Sequence, residues 1–124
     1  MSERVTVELL KAFLAAFNRH DLDAIMEFFA ETCVFYMPRG VGPRGDSFAG
    51  KAEVRAGLAK RFAGFPDVHY GEDTHWAGDD FGVSEWTLTG TSLSGEHIRV
   101  RGVDLLEFVN GKITRKDSFW KNVT

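Results

Sequence analysis

The chain carries two different patterns of hydrophobic and polar positions. In the first half, apolar residues recur at spacings of three and four, which is typical of amphipathic helices. This spacing predicts a first helix from Val5 to about His20. Asp21 can cap a second helix, and a third is expected from Gly50 to Gly64.

The second half of the chain has the sequence pattern of β-strands. Apolar and polar residues alternate in stretches separated by Gly-Asp, Ser-Gly and Asn-Gly turns. These stretches are 68–76, 81–93, 97–109 and 112–120. A shorter strand, 33–37, follows the second helix, and a glycine-rich loop, 39–50, follows that strand. Helices at the front and an antiparallel meander at the back predict an α+β domain, with the helices packed on one face of a curved sheet.

The last two strands form a hairpin whose register depends on its turn. Asn110 and Gly111 supply the positive φ that a tight turn requires. A two-residue turn pairs Val109 with Lys112. A three-residue turn with a bulge at Gly111 pairs Phe108 with Lys112 instead.

The two registers bring different charges together. The two-residue turn sets Asp104 opposite Asp117, which is repulsive, whereas the bulged turn sets Asp104 opposite Lys116. We therefore predict the bulged register, because it replaces a repulsion by an ion pair. The residues that it turns toward the concave face of the sheet are Asp104, Leu106, Phe108, Lys116, Ser118 and Trp120.

Composition narrows the class of protein. A chain of 124 residues fits a single domain, 1–124, with a substantial core. Eleven Phe and three Trp indicate a deep core or an aromatic-lined cavity. The alternative is that these side chains only fill an ordinary core. A net charge of −3 without a basic run argues against nucleic acid as a partner.

The single cysteine and the first ten residues indicate the cellular compartment of the protein. Cys33 is the only cysteine, so no internal disulfide can form, and its apolar neighbours predict a buried thiol. The first ten residues lack the basic and apolar regions of a signal peptide, and no apolar run approaches 18 residues. We expect a soluble, cytoplasmic protein with no membrane partner.

Four segments, in this order of elements, carry a family resemblance. They are DLDAI, FAGKAEV, WTLTGT and GVDLLEFVNGKI. The chain resembles the nuclear transport factor 2-like superfamily, and within it the SnoaL-like and ketosteroid-isomerase-like branch. The resemblance implies a cystatin-like fold, in which a cone-shaped sheet wraps around three helices and encloses an apolar cavity. That branch hosts isomerases, cyclases, dehydratases and epoxide hydrolases, so fold is better specified than reaction.

The resemblance transfers only part of the steroid-isomerase site. The position of the enolising Asp holds Met37, and that of the oxyanion-hole Tyr holds Phe13. The oxyanion-hole Asp is retained as Asp104. Polyketide cyclases and limonene-type epoxide hydrolases usually carry Asp where this chain has Ser118, and Asp117 is expected to face the other way. A true ketosteroid isomerase is therefore not expected.

The candidate catalytic residues are Asp104, Lys116 and Glu85, the last placed on the concave face by the resemblance. Two acids that share one lysine in an apolar cavity cannot all keep their ordinary pKa values. A carboxyl that stays protonated can donate to an oxyanion or act as a general acid. Lys116 can be an electrophilic clamp or, if neutral, an amine nucleophile. The alternative is a structural Asp104 to Lys116 pair, with Glu85 turned to solvent by a slip of one residue.

The cavity wall is expected to be largely apolar. The predicted substrate-binding residues are Phe13, Phe17, Phe35, Met37, Leu58, Phe62, Leu106, Ser118 and Trp120. Arg39 and Arg44 in the glycine-rich loop are candidates for contact with an anionic substrate.

No cofactor and no metal are expected. The chain has no phosphate-cradling glycine pattern. Its histidines lack metal-ligand spacing and are expected in turns or exposed; they are His20, His69, His75 and His97.

The convex face of the sheet is expected to be apolar as well. Its predicted members are Trp86, Leu88, Val103, Leu105, Ile113 and Phe119. A monomer would expose such a patch, so we predict a homodimer through the sheets. If Trp86 faces the cavity instead, the patch is smaller.

The sequence therefore predicts a small-molecule-binding protein, cofactor-free, with acid–base chemistry of isomerase, cyclase or dehydratase type on a small apolar substrate. The alternative is a non-catalytic ligand-binding or protein-interaction module of the same fold. Epoxide hydrolysis by Glu85 and Asp104 ranks third.

Overall fold

The computed structural model describes residues 4–123. The helices are α1 (Val7–Asn18), α2 (Leu22–Glu27) and α3 (Lys51–Gly64). The strands are β1 (Phe29–Tyr36), β2 (Ser47–Ala49), β3 (His69–Ala77), β4 (Phe81–Thr91), β5 (His97–Val109) and β6 (Lys112–Trp120). No helix in this part of the chain combines the length and the apolar character needed to cross a bilayer.

Side-chain caps fix where the first two helices begin. The Thr6 hydroxyl accepts a hydrogen bond from the backbone N–H of Leu9 at 3.1 Å, so α1 starts at Val7. The Asp21 carboxylate accepts from the backbone N–H of Ala24 at 3.1 Å, as the sequence predicts. Both helices bury their apolar stripe against the sheet and against each other.

The strands form one six-stranded sheet in the order β2-β1-β6-β5-β4-β3. The four strands from β3 to β6 are the predicted antiparallel meander, and β1 joins β6 in parallel. Helix α1 packs on β3 and helix α3 packs on β1, so the helices cover one face of the sheet. The predicted α+β architecture is confirmed. Strand β2 lies inside the segment that the sequence predicts as a loop. The sequence pattern misses this strand because three residues are too few to show an alternation of apolar and polar positions.

The hairpin between β5 and β6 differs from both predicted registers. Val109 pairs with Lys112 around Asn110 and Gly111, whose φ angles are 50° and 77°. The turn is therefore the two-residue turn, and the predicted bulge at Gly111 is wrong. A bulge lies instead farther along β6, where the register shifts and leaves Thr114 opposite no residue of β5.

The displaced bulge changes the pairing but preserves the buried face. Asp104 lies opposite Ser118, and Lys116 lies opposite Leu106, so the predicted pairing of Asp104 with Lys116 is wrong by two residues. A shift of two keeps every side chain on its original face. The predicted inward set is accordingly buried, except that Trp120 is half-buried.

Strand β4 shows the opposite parity to the prediction. Trp86 and Leu88 are 1% and 0% exposed and belong to the core. Val83, Glu85 and Thr87 therefore lie on the outer face, where Thr87 bonds to polar side chains of neighbouring strands. The physical reason is that burying the large indole and leucine side chains removes more apolar surface from water than burying Val83 would.

The predicted convex patch is correspondingly smaller. Trp86, Leu88 and Ile113 are in the core, and the bulge at Thr114 is what lets Ile113 and Lys116 both face inward. The remaining members, Val103, Leu105 and Phe119, lie on the outer face, with Phe119 49% exposed. The homodimer stays a prediction.

One histidine is buried, contrary to the prediction. The His75 ring is 2.8 Å from the Ser84 hydroxyl through Nδ1 and 2.6 Å from Asp73 Oδ2 through Nε2. These contacts satisfy both ring nitrogens. His75 therefore links β3 to β4 as a hydrogen-bonded core residue.

The packing of Trp86 on Gly102 is open to a direct test. Gly102 lies opposite Trp86, and a Cβ atom there would meet the Phe119 carbonyl oxygen and lie 2.6 Å from the Trp86 ring. We expect Gly102→Ala to lower the free energy of unfolding by about 1 to 3 kcal/mol in urea denaturation. Gly64→Ala is the control, because open space surrounds that position at the end of α3. Equal stability of the two variants would contradict the packing.

Candidate functional site

A small cavity lies inside the cone, between the ends of α1 and α3 and the inner face of the sheet. Its wall consists of Phe17, Phe35, Leu58, Arg61, Tyr70, Trp86, Lys116, Ser118 and Trp120. Its volume is about 10 Å³. That space accommodates roughly one water molecule, so the interior is nearly filled by aromatic side chains.

Most of the predicted wall is found there, and four of its members are not. Phe17, Phe35, Leu58, Ser118 and Trp120 line the cavity. Those outside its wall are Phe13, Met37, Phe62 and Leu106. Phe13 and Leu106 are core residues, Met37 lies beneath the glycine-rich loop, and Phe62 packs on His20 and Phe17.

A buried polar cluster of Asp104, Lys116 and Ser118 occupies the sheet side of the cavity. The Lys116 ammonium donates to Asp104 Oδ1 at 3.1 Å and to Ser118 Oγ at 2.7 Å. The Ser118 hydroxyl donates to the same Asp104 oxygen at 2.6 Å. The Lys116 and Asp104 side chains are only 5% and 6% exposed. The second Asp104 oxygen accepts from Trp86 Nε1 at 3.2 Å. Asp104 is therefore an acceptor in every contact, as a carboxylate is.

The third N–H of the Lys116 ammonium has no hydrogen-bond acceptor among the described side chains, and the ammonium lies over two aromatic rings. The Nζ atom lies 4.7 Å from the ring centroid of Phe35 and 5.3 Å from that of Phe17. These contacts are cation–π interactions, which hold the ammonium without using a hydrogen-bond acceptor. One donor of Lys116 is thus available to a molecule in the cavity.

Burial lowers the pKa of Lys116, because the ammonium loses its hydration inside the cone. The charge and the hydrogen bond of Asp104 oppose this shift, and the charge of Arg61 adds to it. An ammonium with a lowered pKa releases its proton more readily than an exposed lysine. Lys116 is therefore suited to donate a proton or a strong hydrogen bond.

Two residues of the wall, Arg61 and Tyr70, are absent from the sequence-based predictions, and Trp86 is there only as the alternative in which it faces the cavity. That alternative is the observed one, because the even positions of β4 carry its larger apolar side chains, Trp86 and Leu88. Tyr70 is missed because the pairing of β3 with β4 shifts register after Gly71, and no local sequence pattern indicates that shift. Arg61 follows Leu58 by three residues on α3, so helical spacing alone would have placed it on the same face.

Glu85 does not join the cluster. Its carboxylate pairs with the Arg101 guanidinium at 2.6 Å on the outer face of the sheet, and both side chains are about two-fifths exposed, at 39% and 41%. The predicted meeting of Glu85 with Asp104 and Lys116 is therefore wrong, because of the slip of one residue in β4. The pair of carboxylates required for epoxide hydrolysis does not form either.

The sequence of the chain matches a known family along most of its length. The profile of the SnoaL-like domain covers residues 10–116. The chain belongs to the SnoaL-like family. No curated protein sequence matches this SnoaL-like chain.

Solved structures share the SnoaL-like fold at low sequence identity. A candidate polyketide cyclase from Xanthomonas campestris pv. campestris has a TM-score of 0.80 and 21% identity, over 92% of this chain and 88% of that one. A candidate isomerase from Bacillus subtilis has a TM-score of 0.75 and 22% identity, over 92% of this chain and 84% of that one. A protein from Catenulispora acidiphila with a ketosteroid isomerase-like fold was solved in complex with trimethylamine. It has a TM-score of 0.81 and 19% identity, over 94% of this chain and 88% of that one. The predicted family resemblance and fold are confirmed, whereas such similarity does not establish a reaction.

The coupling of Lys116 to Asp104 is measurable as stability. Removing one partner leaves a buried charge uncompensated, so Lys116→Met should lower the free energy of unfolding by about 3 to 5 kcal/mol. The double variant Asp104→Asn with Lys116→Met should lose less than the sum of the two single variants. Arg55→Met, which breaks an exposed pair with Asp23, is the control and should cost less than about 1 kcal/mol. Additive losses at Asp104 and Lys116 in urea denaturation would contradict the coupling.

The burial of Tyr70 predicts a specific loss of stability in alkali. Burial raises the pKa of the Tyr70 phenol, and the charge of Arg61 opposes this only in part. Above the ordinary tyrosine pKa of about 10, the unfolded chain releases this proton while the folded chain keeps it. The free energy of unfolding should therefore fall with pH by roughly 1 kcal/mol per pH unit.

Tyr70→Phe should remove this component of the alkaline slope. Lys116 is present in both proteins, so its own titration cancels in the comparison. Urea denaturation between pH 9 and pH 11 provides the measurement. Parallel slopes for wild type and variant would show that the phenol is not buried.

Proposed function

We propose that this SnoaL-like protein binds a small, largely apolar molecule in the inner cavity and performs cofactor-free acid–base chemistry on it. The reaction class is isomerisation, cyclisation or dehydration by way of an enolate. The observation that supports this is the Lys116 ammonium, which is buried, held by Asp104 and Ser118, and left with one N–H toward the aromatic cavity.

Lys116 would stabilise the oxygen of the enolate. When a carbon next to a carbonyl group loses a proton, negative charge develops on the carbonyl oxygen. A fixed ammonium in a site that excludes water stabilises that charge more strongly than water does. Asp104 and Ser118 hold the ammonium in place, so little reorganisation is needed as the charge develops.

Ser118 and Asp104 would move the proton. Ser118 lines the cavity and donates to Asp104, which lies behind it. A proton that leaves the substrate carbon passes to the Ser118 oxygen while the hydroxyl proton passes to Asp104. Return of the proton to a different carbon completes an isomerisation, and its use on a leaving hydroxyl completes a dehydration.

Access to the cluster requires that the cone open. The cavity of about 10 Å³ is far too small for a substrate. Trp120 is the last residue of β6 and is half-buried, so its side chain can leave the cavity without breaking the ladder. A ligand that binds the open state would shift the population toward it.

Structural neighbours support the choice of this class of reaction by analogy. They include proteins described as candidate polyketide cyclases and a candidate isomerase. Their identity to this chain is about one-fifth, so they support the choice of reaction class only by analogy of fold.

The second candidate is a non-catalytic ligand-binding or protein-interaction module. The small volume of the cavity favours it, because an interior filled by aromatic side chains is what a purely structural core requires. In that case the cluster of Asp104, Lys116 and Ser118 is a satisfied polar network of the core.

Exchange of hydrogen for deuterium distinguishes the two candidates. We expect the wild-type protein to accelerate exchange of the acidic C–H groups of 2-tetralone in D₂O, followed by proton NMR. Asp104→Asn should reduce that acceleration by about 10² or more, because the amide cannot accept the proton. The affinity for 2-tetralone should change little.

Asp117→Asn is the matched control, since this carboxylate lies next to Ser118 in sequence but on the outer face, near Arg115. It should leave the exchange rate unchanged. Unchanged exchange in Asp104→Asn would remove Asp104 from the mechanism. Binding of 2-tetralone without any acceleration by the wild type would favour the non-catalytic module.

A further inference from the structure

Arg61 is a cation in the cavity wall. It projects from α3 and is half-buried. No carboxylate among residues 4–123 lies within ion-pair distance of its guanidinium. Arg55 on the same helix pairs with Asp23, and Arg101 pairs with Glu85. The other arginines without an ion pair among residues 4–123 are exposed, unlike Arg61; they are Arg19, Arg39 and Arg44. The ring of Trp120 stabilises the Arg61 guanidinium by a cation–π contact without neutralising its charge, so an anionic ligand would add a favourable interaction.

A second cation faces the same space. Lys116 also lines the cavity, and the charge of Arg61 contributes to the lowered pKa of Lys116, so the two cations repel each other. Asp104 compensates Lys116 from behind the wall and does not line the cavity. The wall therefore carries two positive charges and no negative one, inside a shell of aromatic rings.

The aromatic part of the wall favours a flat molecule. The Arg61 guanidinium lies 4.4 Å from the ring centroid of Trp120, and that of Arg39 lies 5.4 Å from the same ring. Guanidinium groups and indole rings both present planar faces for stacking. A flat ring that displaces Trp120 would meet Phe17 and Phe35, which line the same cavity.

We propose that the cavity is selective for a planar aromatic carboxylate, whose anionic group binds between Arg61 and Lys116, and that Arg61 determines this specificity. The proposal rests on the proposed function for the location of the site and adds the charge of its substrate. Arginine suits the role, because its planar fork of N–H donors matches the two oxygens of a carboxylate. The bound anion would relieve the repulsion between the two cations.

A pair of isosteric probes tests this selectivity. 2-Naphthoate and 2-naphthamide have the same ring system and nearly the same shape, and only the first is an anion. We expect the wild type to bind 2-naphthoate at least about tenfold more tightly than 2-naphthamide in isothermal titration calorimetry at low salt. Arg61→Met should bring the two affinities to within about threefold, and Arg61→Lys should restore part of the preference.

Arg55→Met is the matched control, because Arg55 is exposed on the same helix. It should keep the wild-type preference. Binding in the cavity should also shift the indole N–H resonance of Trp120 in a ¹⁵N–¹H correlation spectrum. The inference is overturned by equal affinity of the wild type for the two probes, by binding of neither, by a preference that survives Arg61→Met, or by a Trp120 resonance that does not move.

These outcomes are independent of the exchange experiment. If the wild type shows no anion preference but still catalyses exchange of 2-tetralone, only the role of Arg61 is overturned. A clear preference for 2-naphthoate without any catalysed exchange would overturn the proposed chemistry and leave the anion site standing.

Discussion

The contact of the Lys116 ammonium with the Asp104 carboxylate is the interaction on which the interior of this protein depends. Burying either charge alone would cost several kcal/mol, so each requires the other. Ser118 and Trp86 supply the remaining hydrogen bonds, and the rings of Phe17 and Phe35 cover the ammonium. The network therefore fixes the positions of four inward side chains on three neighbouring strands and sets the polarity of the cavity.

Backbone irregularity makes this contact possible. Because β6 carries a bulge at Thr114, Lys116 and Ile113 both point inward although they are three residues apart. A regular strand would turn one of them to the outer face. Ile113 then fills the core near β1, while Lys116 lies diagonally across from Asp104 and reaches it with its long side chain. The same strand thus supplies a core residue, Ile113, and a buried cation, Lys116.

Packing sets the volume of the cavity, and two cationic side chains set its charge. Aromatic side chains reduce the space inside the cone to about 10 Å³ and lower its polarity, which strengthens every electrostatic interaction within it. Arg61 and Lys116 make that space positive, and Trp120 closes it from the end of the sheet. The cavity of this SnoaL-like fold is therefore small, lined by aromatic rings and electropositive.

The sequence by itself determined the helices, the meander and the inward face of the hairpin, because helical spacing and strand alternation are local. It also placed Asp104, Lys116 and Ser118 on one face, since an error of two residues in register leaves parity unchanged. It did not determine the direction of Glu85 or the presence of Tyr70 in the wall. Those depend on the packing of Trp86 on Gly102 and on the irregular ladder of β3. Only the tertiary structure decided them, because the side of a strand that becomes buried is set by which neighbours can accommodate its largest side chains.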